Sequence, residues 1–74
     1  MRTKTITTEL TERECQILYL VAAGSSNVEI AKLLCLSTNT IKAVMAAILK
    51  KLNARNRAHA VYIALKDNLL KEQV

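Results

Sequence analysis

Apolar residues recur at helical spacing in four stretches of the chain, each preceded by a residue able to cap a helix N-terminus. Residues 1–9 (MRTKTITTE) have no apolar period and read as an N-terminal arm. Thr11-Glu12-Arg13-Glu14 then forms a capping box, with a hydroxyl at the cap and a carboxylate three residues on. Leu10 stands where it can staple against Cys15. The helix that follows carries Leu18, Val21 and Ala22 on one stripe with Ile17 beside it, and Gly24 ends it in a left-handed conformation. A second capping box, Ser26-Asn27-Val28-Glu29, opens a short helix that turns Ile30, Ala31 and Leu34 inward and stops at Cys35-Leu36. Ser37 caps a third helix from Thr38 to about Leu52. Its inward stripe is Ile41, Met45, Ile48 and Leu52, at i, i+4, i+7 and i+11. Asn53 closes it, and Asn56 caps a fourth helix, about Arg57 to Leu69, with Ala60, Val61 and Ala64 inward.

A connection of about three residues between the second and third helices forces them to cross steeply, which is helix-turn-helix geometry. Composition agrees with an all-α, four-helix fold: one Gly, no Pro, no Phe and no Trp leave little material for strands and tight turns. Seventy-four residues make one domain, placed at residues 10–70 with a tail over 71–74. A chain of this size buries roughly 60% of the surface its unfolded form exposes, so the core is thin. Doubly wound and barrel folds, and any enzyme with a deep cleft, are excluded. No acid/base pair, activated nucleophile or phosphate-cradling Gly loop is present, and no enzymatic activity is expected.

Cys15 and Cys35 are too few for a disulfide framework or a zinc site, and read as reduced thiols. His59 has no second ligand at metal spacing and reads as a solvated surface residue. No metal or cofactor is expected. No signal peptide precedes the first helix, and no run approaches the roughly 20 apolar residues of a membrane span. The expected location is the cytoplasm, in association with the nucleoid.

The net charge of +5 hides an asymmetry. Residues 1–31 sum to −1 and the last eight also to −1, but residues 32–66 carry seven Lys and Arg and no acid. A stretch of 35 residues with only positive charge repels itself unless an anion faces it, and nucleic acid is the usual anion. Ser37, Thr38, Asn39 and Thr40 gather hydroxyls, an amide and free backbone N–H groups at a helix N-terminus, a natural phosphate site. Lys50, Lys51, Arg55 and Arg57 follow as phosphate-neutralising charges, with Arg57 equally suited to an ion pair with Glu14. The outward face of the third helix holds Asn39, Lys42, Ala43, Ala46 and Lys50. Lys42 lies one turn in, placed to reach a base edge, preferably guanine O6/N7.

These residues together spell a family pattern. Leu10-Thr11-x-Arg13-Glu14 is followed by Gly24-x-Ser26-Asn27-x-Glu29-Ile30-Ala31-x-x-Leu34-x-Leu36-Ser37. Thr40-Ile41-Lys42 and then Lys51-Leu52-x-x-x-Asn56-Arg57-x-x-Ala60-Val61 complete it. The pattern resembles the LuxR-type (GerE-like) helix-turn-helix domain, without a gap from residue 10 to about 65, at the length of a free-standing copy. The resemblance implies a bacterial transcription regulator that binds double-stranded DNA as a dimer. Helix three would enter the major groove and helix four would supply the dimer contact, assigned to Tyr62, Ile63, Leu65 and Lys66. Leu69 and Leu70 are open to either role, dimer contact or return onto the core.

Several positions depart from the family's commonly polar or basic residues. Val28 and Leu33 lie on helix two; Ala43, Val44, Ala46 and Ala47 lie on helix three. Ala43 and Ala46 match positions that often read bases in this family, and alanine can touch a thymine methyl but cannot hydrogen-bond. Direct readout therefore rests on Lys42, with shape contributing the rest. The alternative of a different class is a helix-turn-helix interaction module, a co-regulator or antagonist of another transcription regulator. The apolar surface favours that module; the unbroken positive stretch favours DNA. With no receiver or ligand domain in the sequence, control by abundance or by a partner is expected.

Overall fold

The computed structural model describes residues 10–70, so the expected arm (1–9) and tail (71–74) lie outside the described residues. Four helices fill this span: α1 Glu12–Ala22, α2 Asn27–Leu34, α3 Thr38–Leu52 and α4 Arg57–Lys66. There is no strand among the described residues. Each helix starts on its expected cap. The Thr11 and Ser26 hydroxyls accept from the N–H of Glu14 and Glu29, and each glutamate side chain returns to the N–H of its cap. Ser37 and Asn56 cap α3 and α4 by accepting from the N–H of Thr40 and His59. Each such cap stabilises its helix by about 1 kcal/mol.

All four helices also end alike. Gly24, Cys35, Asn53 and Asn68 adopt positive φ. Behind each, the next residue's N–H donates to a carbonyl five positions back: Ser25 to Leu20, Leu36 to Ala31, Ala54 to Leu49 and Leu69 to Ala64. This is the Schellman closure, for which glycine is best suited and asparagine next. At the end of α4 it produces a correction. The apolar pattern carries the helix to Leu69, but the helix stops at Lys66 because Asn68 turns the chain back. Leu69 and Leu70 then pack on the core, and the Leu69 carbonyl lies 3.9 Å from Cys15 Sγ on α1.

The core is built around α3, whose expected stripe of Ile41, Met45, Ile48 and Leu52 is buried throughout. Against it pack Ile17 and Leu18 of α1, Ile30 and Ala31 of α2, and Ala60 and Ala64 of α4. In α1 the stripe is rotated slightly from expectation: Glu14 joins Ile17 and Leu18 inside, Val21 is half-buried and Ala22 is exposed. The small alanines on α4 let its backbone approach α3 closely. Helix α3 packs on each of the other three helices, whereas α2 and α4 meet through side chains at their first residues. The axes of α2 and α3 differ by 109° across the short connection, within the helix-turn-helix range.

Candidate nucleic-acid interface

The inward stripe of α3 fixes what its other side presents. With Ile41, Met45, Ile48 and Leu52 buried, Asn39, Lys42, Ala43, Ala46 and Lys50 are all exposed along the outward face. Fifteen residues give α3 a length of about 22 Å, enough to follow a major groove. At its start Ser37 and Thr40 share a side-chain hydrogen bond of 2.9 Å, and Ser37 Oγ takes the Thr40 N–H at 3.0 Å. Ser37, Asn39 and Thr40 are exposed and Thr38 is half-buried, so the expected cluster does gather at one helix N-terminus.

Three of the expected cations gather, and a fourth is held apart. Lys42, Arg55 and Arg57 come together around an open groove of about 410 Å³ between the starts of α2 and α4. Its floor is formed by Met45, Ala46 and Leu49, and Asn27 and Asn56 complete its rim. Arg57 Nη2 donates to Asn27 Oδ1 at 3.1 Å, spanning the gap between the two helices. Lys51 is held apart from this group. Its ammonium lies 2.7 Å from Glu14 Oε1, in an ion pair with a carboxylate that is itself buried. The expected Glu14–Arg57 alternative is thereby corrected: Glu14 takes Lys51, and Arg57 takes Asn27. Burial pushes the Glu14 carboxyl up, but Lys51 and the Thr11 hydrogen bonds outweigh it and hold it below the usual carboxylate range.

His59 is also corrected. It is half-buried rather than freely solvated, and its Nδ1 accepts the backbone N–H of Arg55 at 3.0 Å. Together with the Asn56 cap, this fixes the loop that carries Arg55 into the groove. The imidazole further stacks on Tyr62, with ring centroids 6.4 Å apart and planes 20° from parallel. On α4, Tyr62, Leu65 and Lys66 are exposed, but Ile63 packs on the edge of the core. Ile63, assigned with them to the dimer contact, is thus half-buried where the other three are exposed. Sequence reasoning missed the part played by Asn27, and His59 carried a readable signal in its position three residues after the Asn56 cap.

With the geometry in place, comparison with known proteins decides the family. The model for bacterial regulatory proteins of the luxR family matches residues 8–64, most of the chain. The chain belongs to the LuxR family. Its four-helix fold is the family's helix-turn-helix, a DNA-binding domain of bacterial transcription regulation. Response regulator proteins VraR from Staphylococcus aureus, Staphylococcus saprophyticus and Staphylococcus epidermidis are each 44% identical to it over 62 residues. Those matches cover 84% of this chain and 30% of each relative's own length. The chain thus spans a family domain and under a third of these relatives. No single helix among the described residues is long and apolar enough to cross a membrane.

Proposed function

We propose that this domain gives a bacterial transcription regulator its hold on duplex DNA, with α3 seated in the major groove. One observation carries the reading: the outward face of α3 is exposed from Asn39 to Lys50, and neither of its lysines has a carboxylate partner among the described residues. Lys42 reads a base edge, guanine O6/N7 by preference, and Ala43 and Ala46 touch thymine methyl groups. The Ser37–Thr40 helix start, Lys50, Arg55 and Arg57 hold phosphates on either side. Lys51, engaged by Glu14, serves the fold first and the phosphates second. Selection of bound sequences from random duplexes tests the reading. It predicts a motif with one strong G·C position and A·T preference beside it, and random recovery would overturn it.

The functional unit is a homodimer through α4. Tyr62, Leu65 and Lys66 lie at i, i+3 and i+4 on one face, and Tyr62 and Leu65 are 58% and 63% exposed. Isologous pairing there sets two α3 helices on one side and calls for half-sites about one helical turn apart. A second reading draws on Val28 and Leu33, which leave 54% and 63% of their surface exposed on α2. Those side chains suit contact with another transcription regulator beside the DNA rather than in place of it.

A further inference from the structure

The charged side chains that line the groove between α2 and α4 are all of one sign. Lys42, Arg55 and Arg57 are donors only, and no carboxylate lines the cavity. The two amides add further donors. Asn27 Oδ1 is taken by Arg57 and Asn56 Oδ1 by the His59 N–H, which leaves both amide N–H2 groups without a partner among the described residues. The Arg57 side chain is held by Asn27, and the backbone that carries Arg55 is held by His59 Nδ1. Beneath the donors lies an apolar floor of Met45, Ala46 and Leu49. A volume of about 410 Å³ is within the range of small-ligand sites. Donors without acceptors, set above an apolar floor, complement a ligand whose polar atoms are acceptors, whose charge is negative and whose body is flat and nonpolar.

We propose that this groove binds a mononucleotide-sized phosphate ester, with the phosphate held by Arg55 and Arg57 and the base laid on Ala46 and Leu49. The free amides of Asn27 and Asn56 meet ring or carbonyl acceptors of the base. Because Arg55 and Arg57 are also the residues offered to the DNA backbone, such a ligand competes with duplex. The competition rests on the duplex reading above; the binding does not.

The shared chemistry is a phosphate ester, and separate titrations distinguish a free nucleotide from the DNA backbone. The labelled chain is titrated with 5′-GMP, with inorganic phosphate and with a fluorescent duplex, following backbone amide resonances and anisotropy. Saturable GMP shifts at Asn27, Ala46, Leu49 and Arg55 are expected, at least tenfold tighter than inorganic phosphate. Arg55→Ala weakens GMP at least fivefold and Arg57→Lys by less, while Lys32→Ala, on the outer side of α2, changes nothing. GMP that shifts resonances linearly, matches inorganic phosphate or ignores Arg55→Ala overturns the site. GMP that saturates without displacing duplex overturns the competition. Duplex binding that is lost in Arg55→Ala, with no saturation by GMP, overturns the site and leaves the duplex reading standing.

Discussion

Lys51 Nζ lies 2.7 Å from Glu14 Oε1, an ion pair that joins the last turn of α3 to the first turn of α1. The same carboxylate oxygen accepts the Thr11 N–H at 2.8 Å, so one group closes the α1 cap and anchors α3. The Glu14 side chain is 10% exposed and that of Lys51 34%, so water screens the pair only in part.

Glu14→Gln keeps the size of the side chain and removes its charge. We expect a loss of about 1–2 kcal/mol of folding stability at pH 7, measured by urea unfolding. The Glu14 carboxyl is held lower in the folded chain than in the unfolded one. Its stabilisation is therefore full above the unfolded value, about 4.3, and declines as pH falls through the folded value. The gap between wild type and variant should narrow from pH 7 to pH 2. A gap that widened toward acid would contradict the pairing.

Cys35 is exposed and sits at φ 59° in the turn between α2 and α3, where an L side chain is strained. Cys35→Gly relieves that strain without removing core packing. It should raise stability by roughly 0.5–1 kcal/mol and the melting temperature by several degrees. A lowered melting temperature would show that the thiol contributes more than its backbone conformation costs.

Lys42→Ala removes the one long side chain in the first half of the outward α3 face. Discrimination should fall by about 1–3 kcal/mol at a single base-pair position, with other positions unchanged. Affinities for a set of single-substituted duplexes give the answer. A uniform loss across the set would make Lys42 a phosphate contact.

Tyr62→Asp and Leu65→Asp place charge on the exposed face of α4. Both should abolish cooperative binding to a duplex with two half-sites while leaving the helical spectrum and single-site affinity intact. Ile63→Asp should instead unfold the domain, because Ile63 packs on the core edge. Undiminished cooperativity in the first two variants would put the dimer contact elsewhere.

The legible parts of the fold were those set by neighbours in sequence. The four caps, the α3 stripe and the three-residue connection depend on spacings of three to eleven residues and could be read directly. The partner of Glu14 could not. Lys51 and Arg57 are both cations far along the chain, and only the packing of α1 on α3 selects between them. The end of α4 was misread because Leu69 and Leu70 extend the apolar pattern while Asn68, the residue that ends it, is also an ordinary helix constituent. The groove required Asn27 and Arg57 to meet across 30 positions, which no local pattern specifies.

The central claim is that the positive surface around α3 holds DNA phosphates, and the salt dependence of duplex affinity tests it most directly. With roughly six phosphates neutralised per bound unit, log affinity should fall with log salt at a slope near −5. Lys50→Ala combined with Arg55→Ala should flatten that slope by about two units and weaken all sequences alike. Lys51→Ala, which opens the Glu14 pair, should lower stability and change the slope by less than one unit. A wild-type slope near zero would contradict the account.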